Sequence, residues 1–315
     1  FDDAAAQEVA HCDPVSLRRL KDRSLLVFLA DGQKMLHETV RFYAKERLYE
    51  SPQEKEKVLA VHARHYLSYL VRSTPRLLGK DQRAHLERAA ERHENVLKAF
   101  LWAFESGQWG WVIEAAEPLA FFFERRTRYH EGHAFFGHLL ERMGEDERDP
   151  AAGHLWASLA LRRVELGARM GLTAGSRENL QKCLRLFRGR EFRRQRAQAR
   201  LALGGVWEAL GDREKSLAEL TRALRAFESC RDANGAAHAR NVLGQVLRRA
   251  GKVAVAERTV RRALAYFERA ENPSGAAWSH MLLGQAALQE TRLNEAKEHF
   301  RLGLDGYLAS GNRDG

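Results

Sequence analysis

Apolar and small residues recur with a fixed step of 40 residues along the C-terminal part of the chain, from about residue 199 to residue 315. Self-similarity at one period between about 20 and 50 residues is typical of stacked repeats. Within each unit the apolar positions have helical spacing, so the pattern predicts a mainly α solenoid of helical hairpins. The recurring columns are Leu203, Gly204, Ala223 and Phe227, then Leu243, Gly244, Ala263 and Phe267, then Leu283, Gly284, Gly303 and Tyr307.

The order of small and bulky positions within a unit resembles the tetratricopeptide repeat (TPR). In a TPR, small residues stand where the two helices of a hairpin cross closely, because a larger side chain would overpack the crossing. The step exceeds the usual length of about 34 residues, and HEAT-like repeats are the alternative. We expect TPR-like repeats over residues 151–315, continuing beyond them, since no polar capping helix follows.

The first 50 residues have a different pattern. A short amphipathic helix is followed by an apolar run over residues 24–30 and by the pair Asp31 and Gly32. Asp-Gly between two apolar runs is a strong hairpin signal, and residues 34–36 supply the second strand. The chain then returns to helix. This order predicts an α+β remnant of a winged-helix module over residues 1–50.

Two strings beside the predicted hairpin resemble a known family. They are LRRLKDRSLL at residues 17–26 and MLHETVRFYAKERL at residues 35–48. Both are similar to segments of STAND-class transcriptional regulators, which join an NB-ARC-type ATPase, a winged helix and TPR-like repeats. In that family a histidine of the MHD-type motif contacts the β-phosphate of ADP. The matching position is His37, although Leu36 intervenes and Glu38 replaces the usual aspartate.

The resemblance implies a sensor arm whose ATPase domain lies outside this chain. No GxxxxGK[ST] motif occurs, and the Gly79-Lys80 pair lacks the upstream glycine. We therefore expect no cofactor and no enzyme activity in this chain, with ATP or ADP bound by the parent protein. The histidines between residues 130 and 138 lack HExxH spacing, which predicts no metal site. Carboxylates such as Glu117 have the spacing of a solvated helix surface.

Between the winged helix and the repeats, residues 51–150 are predicted to form helical linker hairpins. Ser51 and Pro52 are typical of a helix start. The remaining features are a break over residues 73–80, a long helix over residues 81–106, another helix over residues 109–123 and a boundary loop over residues 144–150.

Charge is distributed unevenly along the chain, whose formal net charge is +10. Residues 1–150 carry 23 Lys+Arg against 25 Asp+Glu, whereas residues 151–315 carry 29 against 17. The basic excess of the repeats favours an acidic partner or nucleic acid, although many basic helical surfaces are simply solvated. Direct nucleic-acid binding by the repeats is thus the alternative function.

The location and completeness of the protein follow from simple features. Three cysteines without CxxC spacing favour reduced thiols and a cytoplasmic protein. No apolar run reaches the roughly 18 residues of a membrane span, and no secretory signal is visible. Because the chain opens with Phe1 rather than Met, we expect it to be part of a longer protein.

Two polar surfaces are candidates for binding. Seven arginines between residues 185 and 200 could bind phosphate or acidic peptide, or could be a solvated turn, since no aromatic platform interleaves with them. The first helices of the repeats could form a groove for a protein, peptide or small effector. The arginines are Arg185, Arg188, Arg190, Arg193, Arg194, Arg196 and Arg200, and the groove residues are Glu208, Asn241, Gln245, Arg248, Gln285 and Gln289.

Overall fold

A computed structural model describes residues 1–28, 33–143 and 149–311, which form sixteen helices and one two-stranded sheet. The expected mainly α solenoid of helical hairpins is confirmed. The chain has two compact units, Phe1–Arg72 with Arg88–Ala115 and Ser73–Glu87 with Ala116–Gly315. Within the described ranges, no helix is both long enough and apolar enough to cross a membrane.

The N-terminal elements include the only sheet within the described ranges. They are α1 (Asp3–Ala10), α2 (Pro14–Asp22), β1 (Leu26–Phe28), β2 (Lys34–Leu36), α3 (Glu38–Tyr49), α4 (Pro52–Leu77), α5 (Gln82–Glu91), α6 (His93–Glu105) and α7 (Trp109–Arg125).

The helix–hairpin–helix order predicted for the first 50 residues is present. β1 and β2 pair antiparallel with Leu26 opposite Leu36, and Leu26 lies in a small core with Ala6 and Leu17. Ala6 belongs to α1, a helix that the sequence pattern did not predict. The Asp31-Gly32 turn falls outside the described residues. The winged-helix assignment itself stays a prediction.

The prediction of one long helix over residues 81–106 is wrong. The chain leaves helical geometry at Arg92, whose φ and ψ are −100° and 0°, so that α5 and α6 are separate helices. The guanidinium of Arg92 forms an ion pair with Asp2 and lies 4.7 Å from the centroid of the Tyr69 ring. These partners are distant in sequence, and no Gly or Pro marks the break. The break predicted from Ser73 also begins later, because α4 continues to Leu77.

The repeat elements follow with nearly constant spacing. From α11 to α16 the helices begin every 20 residues, so each hairpin repeats every 40 residues, as the sequence predicts. The elements are α8 (Tyr129–Met143), α9 (Pro150–Arg169), α10 (Ser176–Leu186), α11 (Arg193–Ala209), α12 (Arg213–Ser229), α13 (Ala233–Arg249), α14 (Val253–Arg269), α15 (Pro273–Gln289) and α16 (Leu293–Ser310).

Glycines allow the two helices of each hairpin to cross closely. A Cβ placed on Gly204 of α11 would lie 2.6 Å from Cδ2 of Leu220 in α12. One on Gly284 of α15 would lie 2.7 Å from Cε1 of Phe300 in α16. Gly244 occupies the same place between α13 and α14. The glycine column therefore sets how near the second helix of each hairpin can approach the first.

The beginnings of α13 and α15 are fixed by side-chain caps. Asp232 accepts a hydrogen bond from the backbone N–H of Gly235 at 2.8 Å, and Asn272 accepts one from Gly275 at 2.9 Å. Such caps satisfy backbone donors that a helix start leaves unpaired, and they typically contribute about 1 kcal/mol. They anchor α13 and α15 in register.

The predicted domain boundaries at residues 50 and 150 do not coincide with the compact units. α8, which ends at Met143, packs against α9, which begins at Pro150. A Cβ on Gly132 of α8 would lie 2.7 Å from Cδ1 of Leu166 in α9. The last predicted linker hairpin thus continues into the repeats. Residues 144–148 of the predicted boundary loop lie outside the described part of the chain.

Adjacent glycines in α11 test the helix crossing. Gly204→Ala is expected to lower the free energy of unfolding of the repeat unit by about 1–3 kcal/mol, because the added Cβ overpacks Leu220. Gly205→Ala is the matched control, since no heavy atom lies within 4 Å of a Cβ there. Helix propensity alone would make it neutral or slightly stabilising. Urea unfolding followed by circular dichroism measures both, and equal effects of the two changes would contradict this crossing.

Candidate functional site

Three of the predicted groove residues contact one another between α13 and α15. Arg248 Nη2 donates to Gln285 Oε1 at 3.1 Å, and Arg248 Nη1 donates to Gln289 Oε1 at 3.2 Å. Burial lowers the pKa of Arg248, and the neighbouring charge of Arg249 adds to this. The structure therefore brings these side chains together on the face of the first helices.

Asn241 is not part of that face. Its side chain is fully buried, its Nδ2 donates to Ser279 Oγ at 2.9 Å, and Ser279 Oγ lies 3.1 Å from its Oδ1. The amide is satisfied between α13 and α15, so it joins two helices and is closed to a ligand. The sequence prediction that Asn241 lies in the groove is corrected, because its partner is 38 residues away in sequence.

Two polar atoms on the same face have no hydrogen-bond partner among the described residues. They are Glu208 Oε2 and Arg248 Nε, both of which are buried. The other oxygen of Glu208 accepts a hydrogen bond from Arg249 Nη1 at 3.3 Å. Gln245 lies beside Arg248 and Gly244 in a cleft between α13, α14 and α15 that is too narrow for a water molecule. Unpaired buried polar atoms are uncommon in native proteins and need a partner such as water or a ligand.

Arg194 was predicted in the basic run, but two carboxylates neutralise it. Its Nη2 donates to Glu117 Oε1 at 2.6 Å, its Nη1 bonds the other oxygen, and its Nε donates to Asp232 Oδ2 at 2.8 Å. Burial opposes ionisation of Glu117, but hydrogen bonds from Arg194 and the charge of Arg162 lower its pKa to about 2. Glu117 is therefore an ion-pair residue joining α7 to α11, and not a simple surface carboxylate.

A second charged group lies on α9. Arg162 Nη2 donates to Gln198 Oε1 at 2.7 Å, and Arg162 Nη1 lies 2.9 Å from Glu165 Oε2. Burial raises the pKa of Glu165 to about 7; Arg162 opposes the rise and the carboxylates of Glu117 and Glu124 add to it. Since 34% of the Glu165 side chain is exposed, it is recessed but still reached by water.

Five further residues, which we call the inner charge cluster, come from four helices. Glu124 and Arg125 lie on α7, Arg169 on α9, His238 on α13 and Tyr307 on α16. Arg169 forms an ion pair with Glu124, and Arg125 Nε is buried without a partner among the described residues. Burial lowers the pKa of His238 to about 4, an effect that Arg125 strengthens. Burial also raises the pKa of Tyr307, which Arg125 and Arg169 oppose. These mutual effects indicate that the five side chains lie within electrostatic range of one another.

Sequence reasoning missed the inner charge cluster, although one signal for it exists. Arg162, Glu165 and Arg169 are spaced i, i+3 and i+7, which places three charged residues on one face of a helix that is otherwise largely buried. Glu117 and Glu124 have the same seven-residue spacing on α7. Charged stripes on buried helices predict either ion pairs or a wet inner surface.

The other arginines of the basic run lie on three elements. Arg185 is on α10, Arg188 and Arg190 are in the connection to α11, and Arg193, Arg196 and Arg200 share one face of α11. The last three line an open cavity of about 360 Å³, together with Ala226 and Ser229 of α12.

His37 lies at the beginning of α3, where the sequence placed the predicted nucleotide sensor. Its backbone N–H donates to the carbonyl oxygen of Leu25 at 3.3 Å, and its side chain is exposed and does not cap the helix. The imidazole is accessible, and its role as a sensor stays a prediction.

Comparison with known proteins gives relatives that are much longer than this chain. No family model matches it. Proteins of Mycobacterium bovis and Mycobacterium tuberculosis, whose names propose them to be HTH-type transcriptional regulators, are 34% identical over 155 residues. The matched part is 45% of this chain and 17% of each relative, so the chain spans only a small part of their length.

Solved structures support the helical repeat fold. BtubC (BKLC) from P. vanneervenii has a TM-score of 0.52 at 17% identity, over 73% of this chain and 94% of that chain. The apo form of RapI has a TM-score of 0.50 at 14% identity, over 99% and 78%. A STAND protein with a tetratricopeptide repeat sensor from Pyrococcus horikoshii covers 98% and 56% at 13% identity, with a TM-score of only 0.43. At such identities the first two show a shared fold alone.

The raised pKa of Glu165 gives the stability of the repeats a pH dependence. Its folded-state pKa of about 7 exceeds the ordinary value of 4.5, so the protonated form stabilises the fold below about pH 4.5 and this contribution is lost as the pH rises through 7. Glu165→Gln mimics the protonated acid. It should therefore raise stability at pH 8 by about 1 kcal/mol, discounted for partial exposure, and have little effect at pH 5.

Thermal melts at the two pH values measure this difference. Glu268→Gln is the control, because Glu268 is exposed and makes no ion pair among the described residues. A Glu165→Gln protein that is less stable than the wild type at pH 8 would show that the Arg162 ion pair outweighs the burial of the carboxylate.

Proposed function

We propose that this chain is a non-enzymatic binding module of a regulatory protein, which recognises a peptide or a small polar effector along the first helices of its repeats. One observation carries the proposal. Buried polar atoms without a partner among the described residues recur on these helices, namely Gln195 Oε1 and Glu208 Oε2 on α11 and Arg248 Nε on α13, and Arg125 Nε on the preceding α7 is another. A bound ligand would supply the missing hydrogen bonds.

The chemistry of this face suits a peptide better than a polyanion. Its arginines are matched by carboxylates or amides, as in the pairs of Arg169 with Glu124 and Arg249 with Glu208. Unpaired hydrogen-bond donors and acceptors therefore both occur on this face, which carries no large excess of positive charge. A peptide backbone likewise presents both N–H and C=O groups, and charged side chains can strengthen individual hydrogen bonds to it.

The alternative function, direct nucleic-acid binding by the repeats, is less well supported. Such binding depends on several Lys or Arg side chains that neutralise phosphates. Arg194 is held by Glu117 and Asp232, and Arg200 is held by Glu219. Two arginines of the basic run are thus already paired within the fold.

We also propose that the module belongs to a transcriptional regulator, as the names of the mycobacterial relatives and the STAND-like strings suggest. Ligand binding would then be relayed by the N-terminal helix–hairpin–helix segment to an ATPase domain, with His37 contacting ADP. By linkage, a ligand opens such a switch only if it binds the open state more tightly than the closed one. ADP retention by a His37→Ala variant of a protein that carries the ATPase domain tests the relay, and unchanged retention would dismiss it.

Selection from a random peptide display library against this chain tests the binding function. A selected peptide should bind at least about 10-fold more weakly to Glu208→Gln or Arg248→Gln, since each change removes a charged hydrogen-bonding group from the face. Arg225→Gln is the control, because Arg225 is an exposed α12 residue without a side-chain partner among the described residues. Fluorescence anisotropy gives the three affinities.

Two results would count against the proposal. One is failure of the library to yield any peptide that binds the wild-type chain saturably. The other is a selected peptide whose affinity falls with Arg225→Gln as much as with Glu208→Gln or Arg248→Gln, because binding would then reflect the general charge of the surface.

A further inference from the structure

Three arginines line an open cavity beside α11. Arg193, Arg196 and Arg200 are spaced i, i+3 and i+7, so their side chains leave α11 on one face. With Ala226 and Ser229 of α12 they line an open space of about 360 Å³. That volume is near the lower end of the range of about 300–1,000 Å³ for small-molecule pockets.

Carboxylates neutralise little of the positive charge of the three arginines. Arg193 makes no side-chain hydrogen bond or ion pair within the described part of the chain. Arg196 Nη1 donates only to neutral carbonyl oxygens, those of Phe187 at 3.1 Å and Gly189 at 2.9 Å, which hold it in place without neutralising it.

Arg200 is the one lining arginine with a carboxylate partner among the described residues. It donates to Glu219 Oε2 at 2.7 Å, and Glu219 also accepts a hydrogen bond from Arg222 at 2.5 Å. One carboxylate is thus shared between two arginines, so the surroundings of the cavity keep a net positive charge. This differs from Arg194 on the same helix, which two carboxylates neutralise.

The end of the helix adds to the positive potential. α11 begins at Arg193, the preceding Phe192 offers no side-chain cap, and the first turn contains no acidic residue. The unpaired backbone N–H groups and the helix dipole at such an end favour an anion.

We infer that this cavity binds the phosphate monoester group of a small phosphorylated molecule. A monoester carries close to two negative charges near neutral pH, and guanidinium groups bind its oxygens through paired hydrogen bonds. A nucleic-acid backbone offers single charges spread along a strand, whereas these arginines converge on one open cavity of about 360 Å³. The site uses none of the residues on which the proposed peptide recognition rests, so either can fail alone.

Isothermal titration of the chain with O-phosphoserine and with inorganic phosphate tests the site. Serine and dimethyl phosphate, which lack a doubly charged phosphate, serve as matched ligands. Arg193→Gln should weaken O-phosphoserine binding by about 10-fold or more, because it removes a charge-assisted donor that the fold itself does not use. Arg185→Gln is the control, since it removes the same charge from the same arginine run outside the cavity.

The expected result is saturable, one-to-one binding of O-phosphoserine and phosphate, weakened by about 10-fold or more in Arg193→Gln and kept in Arg185→Gln. Both variants should melt like the wild type. The inference is overturned if neither ligand binds at millimolar concentration, or if the two variants weaken binding equally. It is also overturned if a single-stranded oligonucleotide binds more tightly than O-phosphoserine and is affected equally by both changes.

Discussion

The close crossing of the two helices in each hairpin is the constraint on which the repeat unit depends. Gly204 and Gly284 each face a large side chain at a distance that leaves no room for a Cβ. This approach sets the distance between the two helices of each hairpin. Glu208 and Arg248 are 40 residues apart and occupy equivalent positions on α11 and α13, so the same packing rule that builds the solenoid also arrays polar groups along one face.

Charged side chains have two different roles in the repeats. On the first helices, arginines are matched by carboxylates from distant helices, as in the ion pair of Arg194 and Glu117, which are 77 residues apart. Such pairs cross-link helices and leave a nearly balanced surface on which a few polar atoms are unpaired. Beside the start of α11, Arg193 and Arg196 have no carboxylate partner among the described residues, and the local field is positive. The net charge of the chain therefore says little about any one surface.

The sequence predicts features that arise from local periodicity. Glycine and aromatic columns predict the hairpins and their 40-residue step, because each position recurs in the same environment. The sequence pattern placed Asn241 in the groove, Arg194 in the basic run and Arg92 inside one long helix, and the structure differs in each case. The reason is that their partners Ser279, Glu117 and Asp2 lie 38, 77 and 90 residues away. Pairing over such distances depends on how the helices stack, which a single period cannot specify. For the cavity that Arg193 lines, the sequence shows only an arginine-rich stretch. The sequence does not show that Arg193 faces the cavity while Arg194 faces carboxylates, because this depends on the direction in which each side chain leaves α11.

The central claim is that the first helices of the repeats form the recognition surface. Hydrogen–deuterium exchange of the chain with and without a display-selected peptide, read by mass spectrometry, tests it most directly. Slower exchange is expected at residues 193–209, 233–249 and 273–289, with the second helices at residues 213–229 and 253–269 unchanged. Protection confined to the second helices, or no protection by a peptide that binds, would contradict it.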